Sequence, residues 1–269
     1  MKTCINGATT MPYPLEKDVE TAGKVGFDGI EIWREKLDQY LHKYRKEDLR
    51  DLIQSFRLGV SAICPFTGYV WCPENEFTKK LAETERYLKI STYIGCESLL
   101  VCAEESKSKR RKDVIETHVV RLKRLAQLAE DYGVKIELEW FSDLTDAIEI
   151  VNLVNHESLG MMIDTFHWYR GDGDITHIDL IPKDKLFLVH INDCENLPRE
   201  RLTDENRLYC GLGVIPLVEI LKRIKQKNYN GYLSVEIFRK EYWSKDPLTI
   251  SLESLKTLVE VMEKATVRG

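Results

Sequence analysis

Residues 160–193, GMMIDTFHWYRGDGDITHIDLIPKDKLFLVHIND, hold the pattern from which the rest of the chain is read. Two short apolar runs, 160–164 (GMMID) and 186–191 (LFLVHI), flank a helix-like stretch. Neither run alternates apolar with polar residues. Continuous runs of this kind suit parallel strands covered on both faces, joined by a crossover helix. Six more such runs lie outward from them: 2–6 (KTCIN), 28–33 (DGIEIW), 58–63 (LGVSAI), 98–103 (SLLVCA), 134–140 (VKIELEW) and 232–238 (YLSVEIF).

Amphipathic helices fall between the runs. Ile115, Val119, Leu122, Leu125, Ala126 and Ala129 keep one face of a helix, which Gly133 ends. Leu217, Ile220, Leu221 and Ile224 keep another, entered at Pro216, and Leu252, Leu255, Leu258, Val259 and Met262 a last one. The pattern also predicts helices over 46–57 and within 174–181. Eight strand–helix units in 269 residues fit an α/β fold of the (β/α)8 TIM-barrel type, which typically takes ~250 residues. An open doubly wound sheet is the runner-up, and the first strand is followed by no GxGxxG. No linker or composition break interrupts the chain, so residues 1–269 read as a single domain.

Composition narrows the function. Hydrophobic residues make up 43% and charged residues 31%, as in an ordinary soluble globular protein. Lys+Arg is 39 against Asp+Glu 44, a net charge of −5, which argues against a nucleic-acid partner. No apolar run approaches the ~20 residues of a membrane span, and MKTCINGATTMPYP lacks the core of a signal peptide. Seven scattered cysteines without a CxxC read as reduced, buried thiols in a cytoplasmic protein.

Barrel chemistry sits where strands end. The fifth strand carries Glu139, the sixth ends in Asp164 with His167 three residues on, the seventh ends in His190 with Asp193 beyond, and the eighth carries Glu236. Taken singly, Asp164 would serve as a helix N-cap and His190 as a hydrogen-bonded core histidine. Four consecutive strands each delivering a ligand type point instead to one divalent ion (Mn²⁺, Co²⁺, Mg²⁺ or Zn²⁺) held by Glu139, Asp164, His190 and Glu236. Glu31, near the end of the second strand, reads as a solvated rim residue.

The chain resembles the xylose-isomerase-like TIM barrel family, and within it the branch that isomerises inososes. The resemblance runs from ATT at 8–10 and GFDGIEI at 26–32 through YGVKIELEW at 132–140, AIEIVNLVN at 147–155 and GMMIDTFHW at 160–168. It is densest in VHINDCENLPRERLTDENRLYCGLG at 189–213 and YLSVEIFRKEYW at 232–243. It implies that the metal ligands fall on Glu139, Asp164, His190 and Glu236, and that His167 and Arg207 contact substrate oxygens. It implies that Glu139 and Glu236 are catalytic, moving a proton in a keto-sugar or inosose-like keto-cyclitol through a cis-enediolate, with inositol catabolism as the setting. The substrate is then a small molecule, with no nucleic acid, no membrane and at most further copies of the chain as partners. Arg207→Ala is expected to impair substrate handling with little effect on the fold.

The chain departs from that branch at Gly7, where a glutamate is usual, at Cys210 and Pro216, and in a short loop Trp140–Asp143 after strand five. The other function the family offers is a DNA-repair endonuclease with three zinc ions. It needs histidines at the ends of strands three and four, where this chain has AIC (62–64) and VCA (101–103). The aromatics Phe66, Tyr69, Trp71, Trp140, Phe166, Trp168 and Trp243 read as a candidate sugar platform, and 64–77 (CPFTGYVWCPENEF) as a lid. The basic run 107–112 (KSKRRK) reads as a solvated helix start.

Overall fold

The computed structural model describes residues 1–266. Eight parallel strands close into a barrel: β1 (Lys2–Asn6), β2 (Gly29–Trp33), β3 (Gly59–Phe66), β4 (Cys96–Cys102), β5 (Lys135–Glu139), β6 (Leu159–Asp164), β7 (Leu186–Ile191) and β8 (Tyr232–Val235). Closure comes from β1 pairing with β8 on one side and β2 on the other. A short antiparallel pair, Asp193–Cys194 with Arg207–Leu208, folds the segment after β7 over the barrel mouth.

The helices bury the faces their periodicity marks. Helix Arg111–Glu130 buries Ile115, Leu122, Leu125, Ala126 and Ala129, and helix Leu217–Gln226 buries Leu217, Ile220, Leu221 and Ile224. Gly26 (φ 95°) and Gly95 (φ 74°) end their helices in the left-handed region, where a side chain would be strained. No helix among the described residues is long and apolar enough to cross a membrane.

Three local expectations need correction. The sixth helix, expected within 174–181, is two pieces: Thr165–Arg170 starts directly at the end of β6, and a single turn spans His177–Leu180. The cause is Asp164, whose Oδ1 accepts from the backbone N–H of Phe166 and His167 and starts the helix at once. A helix Arg34–Leu41 precedes Lys46–Ser55, where one helix over 46–57 was expected. The last strand stops at Val235 rather than 238, because Thr9 takes over the backbone: its Oγ1 donates to Val235 O (2.8 Å) and accepts from Ile237 N–H (3.1 Å). Glu236 therefore leaves the ladder and stands at the mouth.

Register sets the layers of the site. Asp164 lies opposite His190, His190 opposite Ser234, Cys102 opposite Glu139, and Asn6 opposite Glu31. These are rigid ladder positions, so the side chains they carry are held more firmly than loop residues would be.

Candidate metal centre and active site

Glu139, Asp164, His190 and Glu236 converge at the mouth of the barrel. All four are buried, and one ligand atom from each lies within 4.8 Å of every other. His190 Nδ1 is 3.1 Å from Glu236 Oε2, 3.7 Å from Glu139 Oε1 and 3.9 Å from Asp164 Oδ2. Ligands ~2.1 Å from a common ion stand about 3.0–4.2 Å apart, so these spacings fit one first coordination sphere. His190 Nδ1 is buried with no hydrogen-bond partner. An orphaned imidazole nitrogen facing three carboxylates suits a divalent cation, and the oxygen-rich donor set suits Mn²⁺, Co²⁺, Mg²⁺ or Zn²⁺.

Each carboxylate is oriented by a separate neighbour. Asp164 divides its oxygens: Oδ1 caps the helix and accepts from Asn192 Nδ2 at 3.2 Å, while Oδ2 faces the cluster. The N-cap expected of Asp164 taken singly is therefore present, and it leaves Oδ2 free to face the cluster. Asn6 Nδ2 donates to Glu236 Oε1 at 3.2 Å, and the Cys102 thiol donates to Glu139 Oε2 at 3.4 Å.

Arg207 was expected to contact substrate and to matter little to the fold. It is instead 1% exposed, its guanidinium donating to Asp164 Oδ2 (2.7 Å), Glu236 Oε2 (3.3 Å) and Asp204 Oδ1. Its NH2 nitrogen also meets His167 Nε2 at 3.1 Å. A guanidinium only donates, so Nε2 accepts and the His167 proton sits on Nδ1. Burial first, and Arg207 beside it, hold His167 down to about 4, so the ring is neutral at physiological pH.

The carboxylates respond to crowding. Burial, then repulsion by Glu236, pushes Glu139 up to about 8. Burial also raises Glu236. Asp164 stays well below the usual carboxylate range: burial opposes this, and Arg207 with the two histidines overcomes it. His190 is raised well above an ordinary histidine: burial opposes, and the facing Glu236 and Glu31 win. Groups that hold protons must release them to a cation. Affinity for a divalent ion is therefore expected to climb as pH rises toward about 8, with proton release on binding. Calorimetry in buffers of different ionisation enthalpy measures this; pH-independent affinity without proton release contradicts it.

A cavity of about 230 Å³ opens above the cluster, lined by Glu139, His167, Arg207, Glu236 and Asp204. Its apolar wall is Trp33, Phe141 and Phe238, with Cys64, Leu100 and Cys102. The expected sugar platform is thus misplaced. Among its members, Trp71 Nε1 donates to Glu104 O, Trp168 Nε1 to Asp174 O and Trp243 Nε1 to Ala8 O, and none of the seven lines the cavity. The lid expected over 64–77 gives only Cys64, Pro65 and Thr67 to the cavity, while its Tyr69 and Val70 are buried. A usable signal was present: Glu31-Ile32-Trp33, Glu139-Trp140-Phe141 and Glu236-Ile237-Phe238 each place an aromatic two residues after an acid. In extended chain that is the same face.

Glu31 also differs from expectation. It is fully buried, not solvated, and both its oxygens lie 3.0 Å from His190 Nε2. A second, shallower group, Asp143, Asp172 and His177, lies at the surface.

Comparison with known proteins gives the family. The chain is 31% identical to the inosose isomerase of Halalkalibacterium halodurans, over 98% of this chain and 97% of that one. It is also 31% identical to the inosose isomerase of Bacillus subtilis, over 98% and 99% of the two chains. The crystal structure of IOLI protein with a binding zinc atom superposes with a TM-score of 0.94 at 29% identity, covering 100% of each chain. The model of the xylose isomerase-like TIM barrel matches residues 19–261. With the closed barrel and nearly full-length likeness together, the chain belongs to the xylose isomerase-like TIM barrel family.

Proposed function

We propose that this chain, a single domain over residues 1–269, is a divalent-metal-dependent isomerase or epimerase of an uncharged, inosose-like keto-cyclitol or keto-sugar. The observation that carries this reading is the convergence of Glu139, Asp164, His190 and Glu236 beneath a small cavity with an aromatic wall. Relatives named inosose isomerase and a zinc-bound neighbour support it. The setting is cytoplasmic, in carbohydrate breakdown of the inositol type, consistent with seven free cysteines.

A proton on the carbon beside a carbonyl is too weakly acidic for a carboxylate to remove unaided. A divalent ion held by Glu139, Asp164, His190 and Glu236 would supply Lewis acidity at the carbonyl, where negative charge develops as the proton leaves. The residues do the rest. Glu139 and Glu236 carry the proton from one carbon to its neighbour or to the opposite face. Neutral His167, with its proton on the unpartnered Nδ1, holds a substrate oxygen, and Arg207, whose N–H groups are taken up by Asp164, Glu236, Asp204 and His167, keeps that ring and the carboxylates in place beside the substrate. Trp33, Phe141 and Phe238 pack against the C–H face of the ring and exclude water.

Charge defines the substrate further. Arg207 is the lone Lys or Arg in the cavity lining, and Asp164, Glu236 and Asp204 already hold it. Even with a divalent ion added, the carboxylates of Glu139, Asp164, Asp204 and Glu236 outnumber the positive charges. No cation is left for a phosphate or a substrate carboxylate. The cavity of about 230 Å³ is also smaller than the ~300–1,000 Å³ of drug-sized sites, which favours one small ring over a nucleic-acid strand.

The test is a panel of inososes, ketohexoses, ketose phosphates and hydroxypyruvate, with Mn²⁺ or Co²⁺. Neutral ketones are expected to exceed the anionic ones in kcat/KM by at least ~10²-fold, since like charges placed together cost several kcal/mol. Preference for a ketose phosphate or a carboxylate would contradict this reading of the cavity.

A further inference from the structure

Glu31 takes no part in the proton transfer proposed above, yet it is a carboxylate with no exposure to solvent at all. A charge so placed is costly unless it is paired and hydrogen-bonded. Its partners are specific. Both oxygens lie 3.0 Å from His190 Nε2, and Ser234 Oγ donates to Oε2 at 2.7 Å. The other ring nitrogen of His190 faces Glu236, Glu139 and Asp164 at 3.1, 3.7 and 3.9 Å. One imidazole thus stands between an accepting carboxylate on one side and the candidate ligand cluster on the other. All three members come from barrel strands: Glu31 from β2, His190 from β7 and Ser234 from β8, with Ser234 directly opposite His190 in the ladder.

We propose that Glu31 is the positioning residue of the metal centre. It keeps the hydrogen of His190 on Nε2, fixes the plane of the ring, and so presents the Nδ1 lone pair to the ion. An ionised carboxylate can only accept, so the Nε2 hydrogen has one place to point. Ser234 holds Glu31 in turn. The negative charge of Glu31 also makes His190 a stronger donor to a cation, as carboxylate partners of ligating histidines do. This assignment rests on the proposal that the ion sits among Glu139, Asp164, His190 and Glu236.

Glu31→Gln tests it. Glutamine keeps the volume, removes the charge and replaces one acceptor oxygen by an amide that donates. Zn²⁺ affinity, measured by competition with a chromogenic chelator, is expected to fall 10–100-fold while the metal-free variant keeps the wild-type circular dichroism and a cooperative melt. In Zn²⁺-loaded wild-type protein, ¹⁵N spectra should show His190 metallated at Nδ1 with a slowly exchanging hydrogen on Nε2; in Glu31→Gln that hydrogen should exchange faster. Should Glu31→Gln fail to fold, Ser234→Ala leaves the carboxylate and loosens it, and a smaller loss of affinity in the same direction is expected. Wild-type Zn²⁺ affinity in both folded variants, whatever their melting temperature, would overturn the role of Glu31 alone. Wild-type protein that binds no divalent ion would overturn it together with the metal centre.

Discussion

Glu139→Gln and Glu236→Gln, each loaded with metal, should lose at least ~10²-fold in kcat, the usual contribution of a positioned acid or base. Glutamine keeps the shape of each side chain and removes its ability to take a proton. The two variants need not be equal. Glu236 is held by Asn6 on one oxygen and by Arg207 on the other, whereas among the described residues the thiol of Cys102 is the single hydrogen-bond donor to the Glu139 carboxylate. Both residues also belong to the candidate ligand set, so metal content must be measured in each variant before the loss is assigned to proton transfer. Turnover in heavy water gives a second readout, since transfer through either carboxylate should place solvent deuterium on the reacting carbon, at least in part. No deuterium in product, with near-normal rates in both metal-loaded variants, would contradict the proton-transfer mechanism.

Arg207→Ala should do more than weaken substrate binding. The sequence suggested a rim residue whose loss the fold would tolerate, and the structure places the guanidinium among carboxylates with 1% exposure. Its removal strips Asp164 and Glu236 of their shared cation and empties the space over the Phe166 ring, 4.6 Å from the guanidinium carbon. Breaking a buried pair from one side costs about 3–5 kcal/mol, a large part of the stability of an ordinary domain. A divalent ion would compensate the same carboxylates, so added metal should recover much of the lost stability by mass action. Denaturant melts of wild type and variant, with chelator and with Zn²⁺, measure both effects. A variant as stable as wild type in chelator would show that Arg207 is not what balances the cluster.

The barrel was legible because its strands are unbroken apolar runs at regular spacing, and because the helices between them keep one face. The four converging residues were legible for a related reason: successive strands each end in a ligand type, which surface decoration does not produce. Glu31 was misread because a strand end looks solvated when the residue is taken alone. In GIEIW the flanking isoleucines are core residues of a strand covered on both faces, so the glutamate between them had to be buried and had to have a partner. Asn6 and Asn192, which orient Glu236 and Asp164, carry no motif at all; their roles depend on which strand ends meet across the closed barrel. The aromatic wall was sought at Phe66, Tyr69, Trp71, Trp140, Phe166, Trp168 and Trp243 and lies instead two residues beyond Glu31, Glu139 and Glu236. The tertiary fate of Arg207 could not be read from LTDENR, because the short antiparallel pair that turns it inward joins segments more than ten residues apart.

Anomalous diffraction from crystals soaked in Mn²⁺ or Zn²⁺ tests the metal centre most directly. The account predicts one ion per chain at this site, bound through oxygens of Glu139, Asp164 and Glu236 and through Nδ1 of His190 at ~2.0–2.6 Å. An empty site at saturating metal, or an ion held only by Asp143, Asp172 and His177, would contradict it.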